Sequence, residues 1–268
     1  MKPWLDAFRA AAQDITRVLD ELPTRAEREP VIAAGQGGDD TTAIDDAAER
    51  AVVARLEELH RDGLEFTLVS EELGERTFGS SETRVVVDPI DGSVNAKRGL
   101  RNFCLSIAVA EGEVMGDVVF GFVHDFGTGE EWTATRGSGA QLDGKPLGGV
   151  RPKDQVEILV MEGTLAASVA DHAVALVGYA QRFRITGSLA LSLCQLAAGR
   201  VDAVCSLREV RSVDTAAAQL VIREVGLSIG FADAGPWDAT PLDTRPHGIL
   251  VAAGSDELRD RLAETLVM

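Results

Sequence analysis

Residues 85–95 read VVVDPIDGSVN, an apolar strand that runs into two aspartates and then into a Gly-Ser pair. Buried carboxylates are costly unless they are paired or bind a metal ion. Mg²⁺ takes oxygen ligands and keeps part of its water shell for a phosphate, and backbone N–H groups at a helix start bind anions. The segment therefore predicts a cation site beside a phosphate site. An Asp-Gly turn with an N-cap serine would explain residues 91–93, but it leaves Asp88 unexplained.

The composition narrows the class of protein. The 268 residues, 45% of them apolar, suffice for one large domain or two joined halves. A net charge of −17 offers no basic footprint for nucleic acid. No apolar run approaches the length of a membrane helix, and residues 1–6 lack a signal peptide's apolar core, so we expect a cytoplasmic protein without a membrane partner. Three unclustered cysteines predict buried thiols rather than disulfides or a zinc site.

Apolar periodicity divides the chain near residue 150 and predicts a mixed α/β (α+β) fold. Residues 1–150 form an α+β half, with helices over 4–22 and 44–59, strands over 66–69, 85–87, 103–110, 114–123 and 130–135, and a glycine-rich hairpin connection over 136–149. Residues 151–268 form an α/β half, with strands over 156–161, 182–185, 201–206, 227–231 and 249–253 and helices over 165–178, 188–198, 213–225 and 255–266. The glycines near 35–38 lack the Lys-Ser/Thr ending of a P-loop, so they predict a mobile loop over the site.

Acids from separate elements are predicted to meet. Glu71 and the pair Asp88 and Asp91 follow two apolar strands, and the carboxyl ends of strands are where α/β folds bind ligands. Asp214 and Asp45 each stand at the start of a predicted helix. An acid in the first turn also complements the helix dipole, and that alternative stays open for both residues.

These motifs resemble those of the inositol monophosphatase / fructose-1,6-bisphosphatase superfamily of lithium-sensitive, Mg²⁺-dependent phosphatases. The resemblance rests on SEE at 70–72, DPIDGS at 88–93 and VDTAA at 213–217, and it extends from about residue 4 to 255. It implies a layered α-β-α-β-α sandwich. The run DAVCSLR at 202–208 and the segment NAKR at 95–98 are most similar to archaeal-type bifunctional members. Val213 stands where many members have tryptophan, and Ser93 replaces the commoner threonine.

The resemblance also implies a role for each acid. Glu71, Asp88 and the Ile90 carbonyl would hold one Mg²⁺, and Asp88, Asp91 and Asp214 a second. A third, weaker ion would lie between Glu71 and Asp91, and Mn²⁺ is a possible substitute. Asp45 and Ser93 would form a catalytic dyad that works with Glu71 on a metal-bound water. The backbone N–H groups of Gly92 and Ser93 would hold the phosphate, with Asp91 beside them.

The residues that choose the substrate are less clearly marked. Gly187 and Ser188 resemble the family's substrate-contact turn, although a plain N-cap explains them too. Arginine suits bidentate phosphate binding. Arg208 and Arg211, or Lys97 and Arg98, would therefore meet a second phosphate or else form surface ion pairs.

The predicted function is a Mg²⁺-dependent phosphomonoesterase for a small phosphorylated polyol or sugar. Inositol 1-phosphate comes first, followed by fructose 1,6-bisphosphate or both together, and then by histidinol phosphate or a 3′-phosphonucleotide. A catalytically silent phosphate-binding protein is the alternative from a different class. The resemblance further implies a homodimer and inhibition by lithium.

Overall fold

The helices and strands lie close to where the apolar periodicity places them. The computed structural model describes residues 1–34, 40–79, 82–148, 155–163 and 165–267. The helices are α1 (Lys2–Glu21), α2 (Arg25–Arg28), α3 (Ala43–Arg61), α4 (Ser93–Arg98), α5 (Ala166–Ala175), α6 (Leu189–Ala197), α7 (Ser212–Glu224) and α8 (Asp256–Val267), with short 3-10 turns at Met115–Asp117 and Trp237–Ala239. The strands are β1 (Val31–Ala34), β2 (Asp40–Thr42), β3 (Phe66–Ser70), β4 (Gly74–Phe78), β5 (Arg84–Asp91), β6 (Cys104–Ala110), β7 (Val118–Asp125), β8 (Glu131–Thr135), β9 (Gly139–Leu142), β10 (Lys145–Pro146), β11 (Val156–Glu162), β12 (Ala180–Arg184), β13 (Ala203–Arg211), β14 (Ser228–Phe231) and β15 (Pro246–Ala253).

The elements stack in five layers. Within the described residues, one sheet has eight strands in the order β10-β9-β8-β7-β6-β5-β3-β4, and a second has five in the order β12-β11-β13-β15-β14. Helices α1 and α3 cover one face of the larger sheet, α6 and α7 fill the space between the sheets, and α5 and α8 cover the far face of the smaller sheet. The predicted α-β-α-β-α sandwich is therefore confirmed.

Strand pairing brings the acidic motifs to one edge of the larger sheet. Strands β3 and β5 are parallel neighbours, with Ser70 opposite Val87, so both chains leave the sheet in the same direction. The pairing of β5 with β6 is irregular between Asp88 and Asp91, where Pro89 has no N–H to donate. Because β3 and β5 are parallel neighbours, Glu71 lies next to the DPID segment at residues 88–91.

The close packing of α7 against the larger sheet sets the position of Asp214. A Cβ on Gly121 of β7 would lie 2.5 Å from the carbonyl oxygen of Ala217, so the helix backbone rests directly on the strand. The small residues of the TAAA run in α7 permit this approach, and they hold the first turn of α7 against the sheet. Asp214 in that turn consequently faces the ends of β3 and β5.

The predicted division into halves stays a prediction. Residues 149–154, which include the boundary at 150, lie outside the described residues, as do residues 35–39 of the predicted loop over the site. Strands β1 and β2, which flank that loop, pair as an antiparallel hairpin. Helices α6 and α7 of the second half share one apolar core with the larger sheet of the first.

All three cysteines are unpaired and buried, as predicted. Among the described residues, no helix combines the length and the apolar character needed to cross a membrane. The location of the protein in the cell stays a prediction.

Candidate metal centre

Three carboxylates from three elements converge at the edge of the larger sheet. Within the part of the chain that the structure describes, Glu71, Asp88 and Asp214 each offer an oxygen, and these oxygens lie within 4.8 Å of one another. Burial, and then the neighbouring charge of Glu71, raise the pKa of Asp88 well above its ordinary value. Burial also raises the pKa of Glu71 to about 7. The group is thus a set of crowded, desolvated acids that a cation would stabilise.

The donor set fits Mg²⁺. A narrow cleft is lined by Asp45, Glu71, Glu72, Asp88, Pro89, Ile90 and Ser93. Every charged group on that lining is a carboxylate, and hard divalent cations prefer such oxygen ligands. The Oδ1 atom of Asp45 is buried and has no hydrogen-bond partner among the described residues. Glu72 differs from the other acids because it is half-buried and accepts a hydrogen bond from Thr41.

Asp91 lies beside this group, and its carboxylate is held by the start of α6. Its Oδ2 atom accepts hydrogen bonds from Ser188 Oγ at 2.6 Å and from the Ala190 N–H at 2.7 Å. Its Oδ1 atom accepts a longer one, 3.3 Å, from the Leu189 N–H. Burial raises the pKa of Asp91 to about 7. Its role as a metal ligand stays a prediction, and the structure adds a second task, which is to join β5 to α6.

The predicted dyad is not joined by a hydrogen bond in this structure. Asp45 Oδ2 accepts from the Thr42 N–H at 3.1 Å and from Thr42 Oγ1 at 2.5 Å, which makes a capping box at the start of α3. Ser93 Oγ instead donates to the Ile90 carbonyl at 3.0 Å. Both side chains nevertheless line the same cleft. The dyad therefore stays a prediction, with Thr42 as an additional partner of Asp45.

The predicted phosphate turn and substrate turn touch through their glycines. Gly92 has a φ of +98°, and a Cβ there would lie 2.9 Å from the Asn102 carbonyl oxygen and 3.0 Å from that of Gly187. Gly187 has a φ of +83°. A side chain at residue 92 would both strain the backbone and push the two turns apart. The geometry accordingly requires glycine at residue 92.

The four predicted substrate cations have different surroundings. Arg98 is half-exposed and lies 3.7 Å from Glu29, which matches the surface ion-pair alternative. Lys97 is mostly buried, with Nζ 3.8 Å from Asp45 Oδ2 at the cleft. Arg208 is exposed on β13, and its substrate role stays a prediction. Arg211 is neither at the surface nor free for a second phosphate, because it contacts Glu71 and Asp214.

Sequence reasoning missed Glu162, which holds the turn at Thr186 and Gly187 in place. This buried carboxylate ends β11 and accepts hydrogen bonds from Thr186 Oγ1 at 2.5 Å, Ser192 Oγ at 2.7 Å and the Gly187 N–H at 2.9 Å. On the other side of the turn, Asn95 Nδ2 donates a hydrogen bond to the Thr186 carbonyl oxygen at 2.8 Å. The signal that marked Asp88, an acid directly after an apolar strand, is also present in the sequence VMEG at 160–163.

We expect Glu162→Gln to lower the free energy of unfolding by about 2 kcal/mol, because the new NH₂ group would face buried donors. Urea unfolding at neutral pH measures this change. Glu157→Gln is the matched control, since Glu157 lies on the same strand at the surface beside Arg182. A control as unstable as Glu162→Gln would contradict the expectation.

Comparison with known proteins agrees with the geometry. The inositol monophosphatase family model matches residues 2–267. A fructose-1,6-bisphosphatase/inositol-1-monophosphatase of Methanothermobacter thermautotrophicus is 31% identical over 274 residues, covering 98% of this chain and 96% of that protein. Nus factor SuhB of Escherichia coli is 33% identical over 281 residues, 99% of each chain. The crystal structure of an inositol monophosphatase-fructose 1,6 bisphosphatase superimposes with a TM-score of 0.84 at 27% identity, over 98% of this chain and 99% of that one.

Proposed function

The chain belongs to the inositol monophosphatase family and is a phosphoric monoester hydrolase, and from this premise we propose that its metal is Mg²⁺ and its first substrate inositol 1-phosphate. One observation carries the proposal. The oxygens of Glu71, Asp88 and Asp214 lie within 4.8 Å of one another, and β5 leads from this cluster directly into the Gly92-Ser93 turn. An acidic group that binds cations is thus continuous with a backbone turn suited to a phosphate.

The residues present can meet the demands of phosphate-ester hydrolysis, which needs a positioned water and neutralised oxygens. Bound Mg²⁺, in two or three sites, supplies charge neutralisation and an acidified water. Glu71, Asp88 and Asp214 would hold the ions, with Asp91 and the Ile90 carbonyl as further ligands. Ser93 and Asp45 would orient the water, and the backbone N–H groups of Gly92 and Ser93 would hold the phosphate.

The substrate class is a small polyol or sugar phosphate. The Methanothermobacter relative is named for both fructose 1,6-bisphosphate and inositol 1-phosphate, which keeps the bisphosphate as the principal alternative. With three tryptophans and one tyrosine in the chain, few side chains are available to stack a base, which disfavours the 3′-phosphonucleotide. The name Nus factor describes the Escherichia coli relative, and no feature of the described residues of this chain favours a function of another class.

Phosphate release tests the proposal most directly. Chelator-treated enzyme is given Mg²⁺ and, in parallel, inositol 1-phosphate, fructose 1,6-bisphosphate, histidinol phosphate and 3′-phosphoadenosine 5′-phosphate. We expect the highest kcat/KM for inositol 1-phosphate and loss of all activity on renewed chelation. Preference for the bisphosphate would replace the substrate but keep the site. Release that survives chelation would contradict the metal-dependent reaction.

Two further properties are proposed from the family resemblance. Lithium should inhibit by replacing one Mg²⁺, and the chain should form a homodimer. Activity over a Li⁺ titration at fixed Mg²⁺ tests the first, and light scattering on the purified protein tests the second. A monomer, or activity indifferent to Li⁺, would contradict the corresponding property.

A further inference from the structure

A cation of the chain itself lies inside the acidic centre. Arg211 Nη2 donates to Glu71 Oε1 at 2.6 Å and to Asp214 Oδ1 at 2.8 Å, and Arg211 Nε donates to Asp214 Oδ2 at 3.2 Å. The arginine side chain is only 12% exposed. Two of the three carboxylates that would hold Mg²⁺ are therefore already paired with a guanidinium.

The contacts of Arg211 with Asp214 and with Glu71 differ in origin. Arg211 and Asp214 belong to the same turn, in which the Arg211 N–H also donates to Asp214 Oδ2 at 3.2 Å, so this pair is local to the start of α7. Glu71 follows β3 and reaches Arg211 only through the tertiary fold. The contact with Glu71 can consequently break while the turn and its pair stay intact.

Charge favours an exchange between the guanidinium and a metal ion. Arginine keeps its proton in proteins, so its positive charge cannot be removed by titration. A divalent cation on the same carboxylate oxygens would lie a few ångströms from the guanidinium, where like charges repel strongly in a buried site. Without the metal, the same guanidinium offsets the mutual repulsion of the carboxylates.

We propose that Arg211 is an internal counter-ion of the centre, which Mg²⁺ must displace from Glu71 in order to bind. Arg211 stabilises the metal-free protein and weakens its affinity for the metal. This inference rests on the proposed metal site. It concerns metal affinity, however, and can be tested without turnover.

Calorimetric titration of chelator-treated protein with Mg²⁺ tests the inference. We expect Arg211→Gln to bind Mg²⁺ about tenfold more tightly than the parent protein, since no cation has to leave. The melting temperature of the metal-free variant should fall, and its rise on adding Mg²⁺ should exceed that of the parent. Arg208→Gln is the control, because it removes the same charge from an exposed position on the same strand. We expect it to leave both quantities unchanged.

The outcomes distinguish failure of the inference about Arg211 from failure of the proposed metal site. Binding by the parent with equal or weaker binding by Arg211→Gln overturns the inference alone. An equal gain in Arg208→Gln also overturns it, because general charge would then be the cause. Failure of both proteins to bind Mg²⁺ overturns the metal site and the inference together. Should Arg211→Gln not fold, Arg211→Lys replaces it: this variant keeps the charge but loses the forked contact, and we expect an affinity above that of the parent.

Discussion

Asp88→Asn should reduce Mg²⁺-dependent phosphate release by about a thousandfold. Even residues that only orient a metal ligand are worth about 10- to 100-fold, and Asp88 lies at the centre of the acidic group. An amide is a poor ligand for Mg²⁺, and the substitution removes one of the negative charges that the metal would neutralise. The kcat/KM for the preferred substrate at saturating Mg²⁺ measures the effect.

The same substitution should leave the metal-free protein at least as stable as the parent. Asp88 is buried, and burial raises its pKa, so a neutral amide suits the site when no metal is bound. The Ile90 N–H donates to Asp88 Oδ1 at 3.0 Å, and an asparagine oxygen can accept that bond. Lost activity with retained stability would therefore identify a functional acid.

Asp202→Asn provides the control for this variant. Asp202 precedes β13 at the end opposite Arg211, where it accepts hydrogen bonds from the N–H groups of Glu157 and Ile158. We expect near-parent turnover from this control. Unchanged turnover in Asp88→Asn would contradict a metal-dependent reaction at this centre and would favour a different catalytic site.

Glu49→Gln should raise the free energy of unfolding at pH 8 by about 3 kcal/mol. At acid pH the same substitution should leave the free energy of unfolding nearly unchanged. Glu49 on α3 is 4% exposed, accepts one hydrogen bond from Ser70 Oγ, and has an Oε1 atom with no partner among the described residues. Burial raises its pKa from 4.5 to about 7, and the charges of Glu72 and Asp46 add to the rise. A rise of this size corresponds to about 3 kcal/mol of unfolding free energy.

The direction of the pH effect follows from linkage. An acid whose pKa is higher in the folded state binds its proton more tightly there, so its contribution to stability is complete below the unfolded pKa. That contribution is lost as the pH rises through the folded pKa, which is about 7 here. The parent should thus lose stability between about pH 4.5 and pH 8 relative to Glu49→Gln.

Urea unfolding of chelator-treated proteins at pH 5 and pH 8 measures the difference. Chelation removes bound metal from both proteins. Comparing the variant with the parent then cancels the titration of the acidic centre, which both proteins share. Glu57→Gln is the matched control, because Glu57 lies on the same helix at the surface beside Arg76. If the free energies of unfolding of Glu49→Gln and the parent differ by the same amount at both pH values, that result would contradict a raised pKa for Glu49.

Most of the fold was predictable from local pattern. The elements that bury an apolar face, such as α1, β5 and α7, have a clear period, and the structure places them within a few residues of their predicted bounds. Strand β4 was missed, since its central residues Glu75, Arg76 and Thr77 are exposed and carry no apolar alternation. It forms because β3 needs an antiparallel partner at its open edge.

The sequence by itself determined the family motifs and which acids would meet, because strand ends and helix starts fix where Glu71, Asp88 and Asp214 leave the backbone. Only the tertiary structure decided what each carboxylate contacts. Arg211 reaches Glu71 across 140 positions of sequence, and Ser188 reaches Asp91 across 97. Such partners depend on how α6 and α7 pack between the two sheets. Packing of this kind sums many weak contacts between distant segments, and no local pattern in the chain encodes which side chains it brings together.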